Sequence, residues 1–271
     1  MPELPEVETT RRGLEPLLRG RTILSVHVHE LRLRWPVAPG LAATLTGQTI
    51  EAVERRAKYL LLRLTRGTLI LHLGMSGNLR VLPADRERLP HDHLEFVLDS
   101  RQALRLNDPR RFGSCLYTTE PAEQHALLRR LAPEPLAAGF DGDYLFAITR
   151  KRRVSIKALL MNGQRVTGVG NIYASEALFR ARIRPRRAAG SLTRLQCRAL
   201  ARAIIAVLRL AIRAGGTTLR DYVNADGMPG YFRQRLFVYE RAGRPCRRCH
   251  TPIRKITQGA RSTSYCPRCQ Q

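Results

Sequence analysis

The residues best suited to chemistry stand at the two ends of the chain. The first six are Met1-Pro2-Glu3-Leu4-Pro5-Glu6. With Met1 removed, Pro2 presents a secondary amine next to the Glu3 carboxylate. An α-amino group titrates near ~8, so part of it is an unprotonated nucleophile at neutral pH. Amine nucleophiles attack carbonyl-like carbons and form Schiff bases. A secondary amine gives a cationic iminium, an electron sink, and a neighbouring carboxylate can pass its protons. The same residues also suit a helix start, with Pro5 in its first turn and Glu6 and Glu8 at the positive end of its dipole. On these six residues alone the helix start is the stronger reading, and the other end of the chain reverses that judgement.

There, Cys246-Arg-Arg-Cys249 is followed after sixteen residues by Cys266-Pro-Arg-Cys269. Two CxxC pairs at this separation are ligand-spaced for a tetrahedral four-cysteine zinc site, each pair a knuckle and the intervening segment a hairpin. Disulfides are a weak alternative in a chain with no secretion signal. Four thiolates leave no open position for water, so the one Zn2+ ion is structural. Arg244, Arg247, Arg248, Arg254, Lys255, Arg261 and Arg268 surround the site, which marks this finger for contact with nucleic acid. Cys115 and Cys197 stand apart in apolar surroundings and read as buried, inert thiols.

The elements that must hold these groups follow from composition and pattern. The chain has 271 residues and a formal net charge of +25, with 43 arginines and 4 lysines among its cations. Such an excess implies a polyanionic partner, because neutralising phosphates releases condensed counterions. No apolar run approaches the ~20 residues needed to span a membrane. The N-terminus lacks the pattern of a secretory signal, so a cytoplasmic protein is expected. Gly13 and Pro16 are expected to weaken the first helix and Gly20 to end it. Strands are expected at 23–28, 59–64, 69–73, 94–98, 103–106 and 115–117, short runs divided by turn residues, as in an antiparallel sandwich or barrel. Pro121 and Pro133-Glu134-Pro135, then Gly139 and Gly142, mark a boundary and hinge. Beyond residue 144 the period is helical. Leu192, Leu195, Leu200, Ile204, Leu208 and Ile212 form one side of a long helix stopped by Gly215-Gly216. Residues 177–220 hold eleven arginines and no acid, a phosphate-facing surface.

Several motifs add to this. Gly168-Val-Gly-Asn171 opens a helix whose backbone amides suit a phosphate, with Asn171 as a side-chain donor. Asn107-Asp108-Pro109-Arg110-Arg111-Phe112-Gly113 joins charge to an aromatic wedge, as a duplex-invading loop requires, and Met75 between glycines is a second wedge. His91-Asp92-His93 lacks a third metal ligand, which leaves phosphate contact or a structural role for His91. Lys58 heads an apolar strand, either as surface charge or as an ammonium aimed at a phosphate or leaving oxygen.

Taken together these segments resemble the formamidopyrimidine-DNA glycosylase family over essentially the whole chain. The resemblance rests on Pro2–Thr9, Arg55–Tyr59, His72–Gly77, Asp108–Gly113, Gly168–Ser175, Asp226–Tyr231 and the four C-terminal cysteines. It implies an α+β multidomain fold: an N-terminal antiparallel β-sandwich (2–133), a helix-two-turn-helix domain (134–235) and a zinc-finger β-hairpin (236–271). It implies a bifunctional glycosylase and abasic-site lyase of base excision repair. Oxidised purines are excised from duplex DNA through an N-terminal proline Schiff base, and β,δ-elimination leaves 3′- and 5′-phosphates. Pro2 becomes the nucleophile, Glu3 its acid/base partner, Lys58 the donor for β-elimination and Arg261 the donor for δ-elimination. His91, Arg110, Arg152 (with Lys151 the alternative) and Asn171 hold phosphates. Met75, Arg110 and Phe112 fill the gap left by the extruded nucleotide. Residues 217–232 match the loop that covers the flipped base. Damaged double-stranded DNA is the expected partner and a monomer the expected state. The related endonuclease VIII branch prefers oxidised pyrimidines, but Leu4-Pro5 and the Met75/Arg110/Phe112 set resemble the purine-directed branch. The Pro2-Glu3 pair with Lys58 and Arg261 argues against a non-enzymatic DNA-binding protein, and a zinc-ribbon protein bound to RNA is a further alternative that competition between duplex DNA and structured RNA would separate.

Overall fold

The computed structural model describes residues 2–217 and 235–271, divided into two compact units. The first unit joins the residues up to Arg129 with the stretch from Ala214. It begins with helix α1 (Leu4–Leu18), which starts on Glu3 in extended conformation and runs unbroken through Gly13 and Pro16. The expected weakening does not interrupt it, and the reason is packing. Val7, Leu14 and Leu18 are completely buried in the core of the sandwich, and their spacing puts them on one helical stripe. Burial of each large aliphatic side chain contributes roughly 2 kcal/mol, and together they outweigh the ~3 kcal/mol cost of an interior proline.

The rest of the unit is β1 (Ile23–Val28), α2 (Leu41–Leu45), β2 (Ile50–Arg56), β3 (Tyr59–Leu64), β4 (Thr68–His72), β5 (Asn78–Pro83), β6 (Asp92–Leu98), β7 (Gln102–Asn107) and β8 (Ser114–Thr118). They form two four-stranded sheets, ordered β1-β6-β7-β5 and β2-β3-β4-β8, antiparallel throughout. The predicted sandwich is present. Val26, Phe96, Leu104 and Leu106 of one sheet and Val53, Leu62, Leu69 and Leu71 of the other belong to a single core. Strands β2 and β5 and helix α2 had no expectation from sequence. In β2 only Ile50 and Val53 are buried, and a register shift near its start breaks the two-residue alternation.

The second unit contains Arg130–Arg213 and the C-terminal residues from Arg235. Its helices are α3 (Gly142–Thr149), α4 (Ile156–Leu160), α5 (Asn171–Arg180) and α6 (Arg194–Arg213), followed by the hairpin β9 (Arg254–Gln258) and β10 (Arg261–Tyr265). Asp141 caps α3 by accepting from the amides of Asp143 (3.0 Å) and Tyr144 (2.8 Å). The long helix α6 buries Cys197, Leu200, Ile204, Val207, Leu208 and Ala211. Leu195, expected on that face, is instead 72% exposed. Burial sets a stripe of its own here, in which Cys197, Ala201 and Ala211 take part.

The finger docks on α5 through a carboxylate. Glu176 is fully buried and accepts from the amides of Phe237, Val238 and Tyr239 at 2.9–3.1 Å. Burial pushes its carboxyl above the usual range, against the pull of these three amides. Phe179, Val238 and Ile253 pack with Cys246 and Cys266 in a small apolar cluster under the finger. No helix among the described residues is long and apolar enough to cross a membrane.

Candidate active site and nucleic-acid interface

Pro2 and Glu3 are both buried at the head of α1. The Glu6 carboxylate folds back to them, one oxygen accepting from the Glu3 amide at 2.9 Å. Its other oxygen accepts from the Thr217 amide at 2.8 Å. A single buried acid therefore ties the residue next to the candidate amine to an amide 211 residues beyond the acid itself. Sequence reading saw Glu6 only as a helix-dipole acid. Its second partner is too distant in the chain for any local pattern to show.

Lys58 sits in the turn that joins β2 to β3, after Ala57, whose φ of 58° is left-handed. The turn is braced from α1. Glu8 bonds Arg55 Nε at 3.0 Å, and Arg55 Nη1 donates to the Ala57 carbonyl at 3.0 Å. Burial pushes the Glu8 carboxyl up, but hydrogen bonds from Arg11, Arg12 and Arg55 outweigh it and hold it below its ordinary value. Across the β3–β4 register Tyr59 faces His72, their rings 4.8 Å apart. His72 is pushed down to about 4, first by burial and then by the charges of Lys58 and Arg34. Its Nδ1 accepts from the Gly74 amide at 2.9 Å, so the ring is neutral and protonated at Nε2. His72 was not singled out in the sequence, and the signal available was its place at the head of the His72–Gly77 motif.

Met75 and Phe112 are exposed at 39% and 44%, unusual for large apolar side chains. The Arg110 guanidinium lies over the Phe112 ring, 5.2 Å from its centroid. Gly74, with φ of 61°, packs so closely on the Phe112–Gly113 backbone that a Cβ there would overlap it. The two candidate wedges are thus neighbours. His91 is exposed with a left-handed φ of 70°. The buried Asp92 holds this turn by accepting from the Leu89 amide at 3.0 Å and Arg80 at 2.5 Å.

In the second unit, Arg152 and Lys151 are both exposed beside the turn after α3. Asn171 is the first residue of α5 and half-buried. Its Oδ1 accepts from Lys157 Nζ at 2.5 Å, and its Nδ2 donates to the Ser262 carbonyl at 3.1 Å. Lys157, one of four lysines, is 2% exposed and also donates to Thr263 Oγ1 at 2.7 Å. It pins Asn171 to the finger hairpin, a role sequence reading missed. A buried ammonium needs such partners. Gly259 and Ala260, with φ of 53° and 58°, make the two-residue turn that puts Arg261 at the hairpin tip. Both positive φ values are what a tight hairpin turn demands. Arg261 lines an open cavity of about 470 Å³ with Lys157, Ser155, Asn162 and Gln258. The segment 218–232, matched to the base-covering loop, and the motif Asp226–Tyr231 lie outside the described residues.

Cys246, Cys249, Cys266 and Cys269 place their four sulfurs within 4.8 Å of one another. The pair Cys246–Cys269 is 3.9 Å apart and Cys249–Cys266 is 3.4 Å apart. Thiolates at the corners of a tetrahedron with bonds of ~2.3 Å are about 3.8 Å apart, so the set fits one structural zinc ion, which these four residues would hold. The buried Cys115 thiol is pushed up to about 12 and is inert.

A β-sandwich unit headed by a candidate amine, with helices that carry a four-cysteine finger, defines an architectural class. Family models match accordingly: the formamidopyrimidine-DNA glycosylase N-terminal domain over residues 1–115, the H2TH domain of the same enzyme over 131–223, and a zinc finger found in FPG and IleRS over 243–271. The chain is 59% identical to formamidopyrimidine-DNA glycosylase of Thioalkalivibrio sulfidiphilus, with each covered completely. A crystal structure of the Thermus thermophilus protein matches with a TM-score of 0.89 at 43% identity, covering 99% of this chain and 98% of that one. A Lactococcus lactis FPG variant in complex with DNA containing Fapy-dG matches at 0.92 and 35%, each chain covered completely. The chain belongs to the formamidopyrimidine-DNA glycosylase family.

Proposed function

We propose that this chain removes oxidised purines from duplex DNA and cleaves the strand through an iminium on Pro2. It acts as a bifunctional DNA glycosylase and abasic-site lyase of base excision repair, with damaged duplex DNA as its partner. The observation that carries the reading is the buried head of α1, where Pro2 adjoins Glu3 and Glu6 holds the Glu3 amide.

The damaged nucleotide is extruded first, since its C1′ cannot be reached in the stack. Met75, Arg110 and Phe112 enter the gap, and His91, Arg110, Arg152 and Asn171 hold phosphates. Pro2 nitrogen then attacks C1′, the glycosidic bond breaks, and the base leaves with a proton. Glu3 passes a proton to the ring oxygen, the sugar opens, and a cationic iminium forms between C1′ and nitrogen. Loss of a C2′ proton expels the 3′-phosphate with Lys58 as proton donor. The second elimination expels the 5′-phosphate with Arg261 as donor, and water releases the sugar remnant. Zinc takes no part in these steps; it holds the finger that carries Arg261. We read the working parts as residues 2–133, 134–235 and 236–271, and the enzyme as monomeric and resident on the bacterial nucleoid.

The test is borohydride trapping on a duplex with one 8-oxoguanine opposite cytosine, the crosslink mapped by mass spectrometry. A reduced adduct on Pro2 is expected. An adduct only with a thymine-glycol duplex would move the chain to the pyrimidine-directed branch. No adduct with either, Met1 absent and zinc bound, would sink the enzymatic reading.

A further inference from the structure

We propose that Asp108 is the positioning residue that fixes the two gap-filling loops against each other, so that base extrusion depends on it while the later chemistry does not. The inference rests on the reading of Met75, Arg110 and Phe112 as the residues that enter the stack. Those side chains come from two loops far apart in sequence, and a wedge works only if its parts keep their spacing when the duplex pushes back.

Asp108 is completely buried, and every polar atom it has is bonded to one of these loops or to the His91 turn. Its Oδ1 accepts from Ser76 Oγ at 3.0 Å, next to Met75. Its Oδ2 accepts from the Gly113 amide at 2.7 Å, next to Phe112. Its own amide donates to the His91 carbonyl at 3.0 Å, and its carbonyl accepts from the Arg111 amide at 3.1 Å. The same carbonyl lies 2.8 Å from His93 Nε2. The carboxylate therefore has one oxygen on each wedge loop. Two charge-assisted bonds to a buried acid are stronger and shorter than neutral ones, and in a buried site they fix geometry that solvent cannot loosen. Gly113 is needed at this point because a Cβ would stand 2.8 Å from the His72 carbonyl oxygen, and it would also crowd Asp108 Oδ2 at 3.0 Å. Neither Pro2 nor Lys58 is among the hydrogen-bond partners of Asp108. Its loss should disturb the capture of the extruded state, not elimination from a sugar that has already lost its base.

The experiment compares two substrates of the full-length, zinc-loaded protein under single-turnover conditions with enzyme in saturating excess. One duplex carries 8-oxoguanine and the other a preformed abasic site, each opposite cytosine. For Asp108→Ala, excision of 8-oxoguanine is expected to fall ~10-fold or more, the scale set by leaving two buried donors unsatisfied. Cleavage at the abasic site should stay within about 2-fold. Ser76→Ala removes one of the two bonds at little risk to folding and should show the same split, about 3-fold. Asp108→Asn keeps an acceptor and should recover part of the rate. Thermal melts identify a variant that fails to fold, in which case Ser76→Ala decides. Equal losses on both substrates would mean a merely structural residue and overturn the proposal, as would unchanged excision. Met75→Ala and Phe112→Ala are measured in parallel. If they excise normally, the wedge reading falls and this inference with it. If they are slow while Asp108→Ala and Ser76→Ala are normal, the inference alone falls.

Discussion

At the scale of single residues, the consequential choice is a secondary amine where any other N-terminal residue would offer a primary one. Pro2 can only form a charged iminium, and under the proposed mechanism the buried Glu3 beside it would supply protons in a place sheltered from water. Glu3→Gln is expected to slow base release by ~10²- to 10⁴-fold in single-turnover assays, the usual range for a general acid/base, while affinity for a lesion duplex changes little. His72 carries a second prediction. Its folded value near 4 lies below that of a free histidine, so the unfolded chain binds the extra proton as pH falls. The stability that neutral His72 contributes is intact above ~6.5 and is lost progressively down to about 4. Melting temperatures recorded between pH 7 and 4 should fall toward acid, and His72→Gln should flatten that slope. The four cysteines were legible because metal ligation restricts residue type and spacing, and Pro2 and Glu3 could be singled out as candidates because amine chemistry restricts residue type in the same way. Glu6, Asp108 and Lys157 were not, because their roles depend on partners 211, 32 and 106 residues away.

At the scale of elements, metal and hairpin stand together. Strands β9 and β10 are five residues each, and a two-stranded hairpin is marginal by itself in water. The zinc knuckles and the cluster of Phe179, Val238 and Ile253 supply what pairing cannot. Structural zinc in such modules contributes roughly 10–16 kcal/mol of apparent binding energy. Cys249→Ser or chelation is therefore expected to abolish lesion-duplex binding, while circular dichroism of the sandwich strands persists. Elsewhere, hydrophobic runs predicted six of the eight sandwich strands well. Strand β2 escaped because its bulge and its charged residues hide the alternation. Helix α1 ran past a proline because the core holds it, and Leu14→Ala should cost about 2–5 kcal/mol in chemical denaturation, most of it from the cavity left behind.

At the scale of the whole molecule, the excess of 25 positive charges acts on any duplex, damaged or not. Binding should therefore be steeply salt-dependent. If Arg110 and Arg152 each neutralise one phosphate at ~0.9, these two alone predict a loss of about tenfold in affinity between 50 and 200 mM salt, and every further arginine on the duplex steepens it. Fluorescence anisotropy with undamaged and lesion duplexes would measure it, and a flat response would contradict the electrostatic reading. The charge and the change from strand to helical period were plain in the sequence. The discontinuity of the first unit was not, since no local pattern announces that residues 214–217 return to the company of residues 2–129.

That return has a consequence during synthesis. Glu6 emerges from the ribosome almost at once, but its partner amide on Thr217 follows only after more than two hundred further residues. At translation rates of ~5–20 residues per second the interval is on the order of 10–40 s. Throughout that time the nascent N-terminus lacks its second anchor, which leaves an aminopeptidase a window in which to remove Met1 before Pro2 is buried. It also means that an unfinished chain carries its reactive amine in an incomplete setting, so the power to cut DNA arrives with the last quarter of the polypeptide.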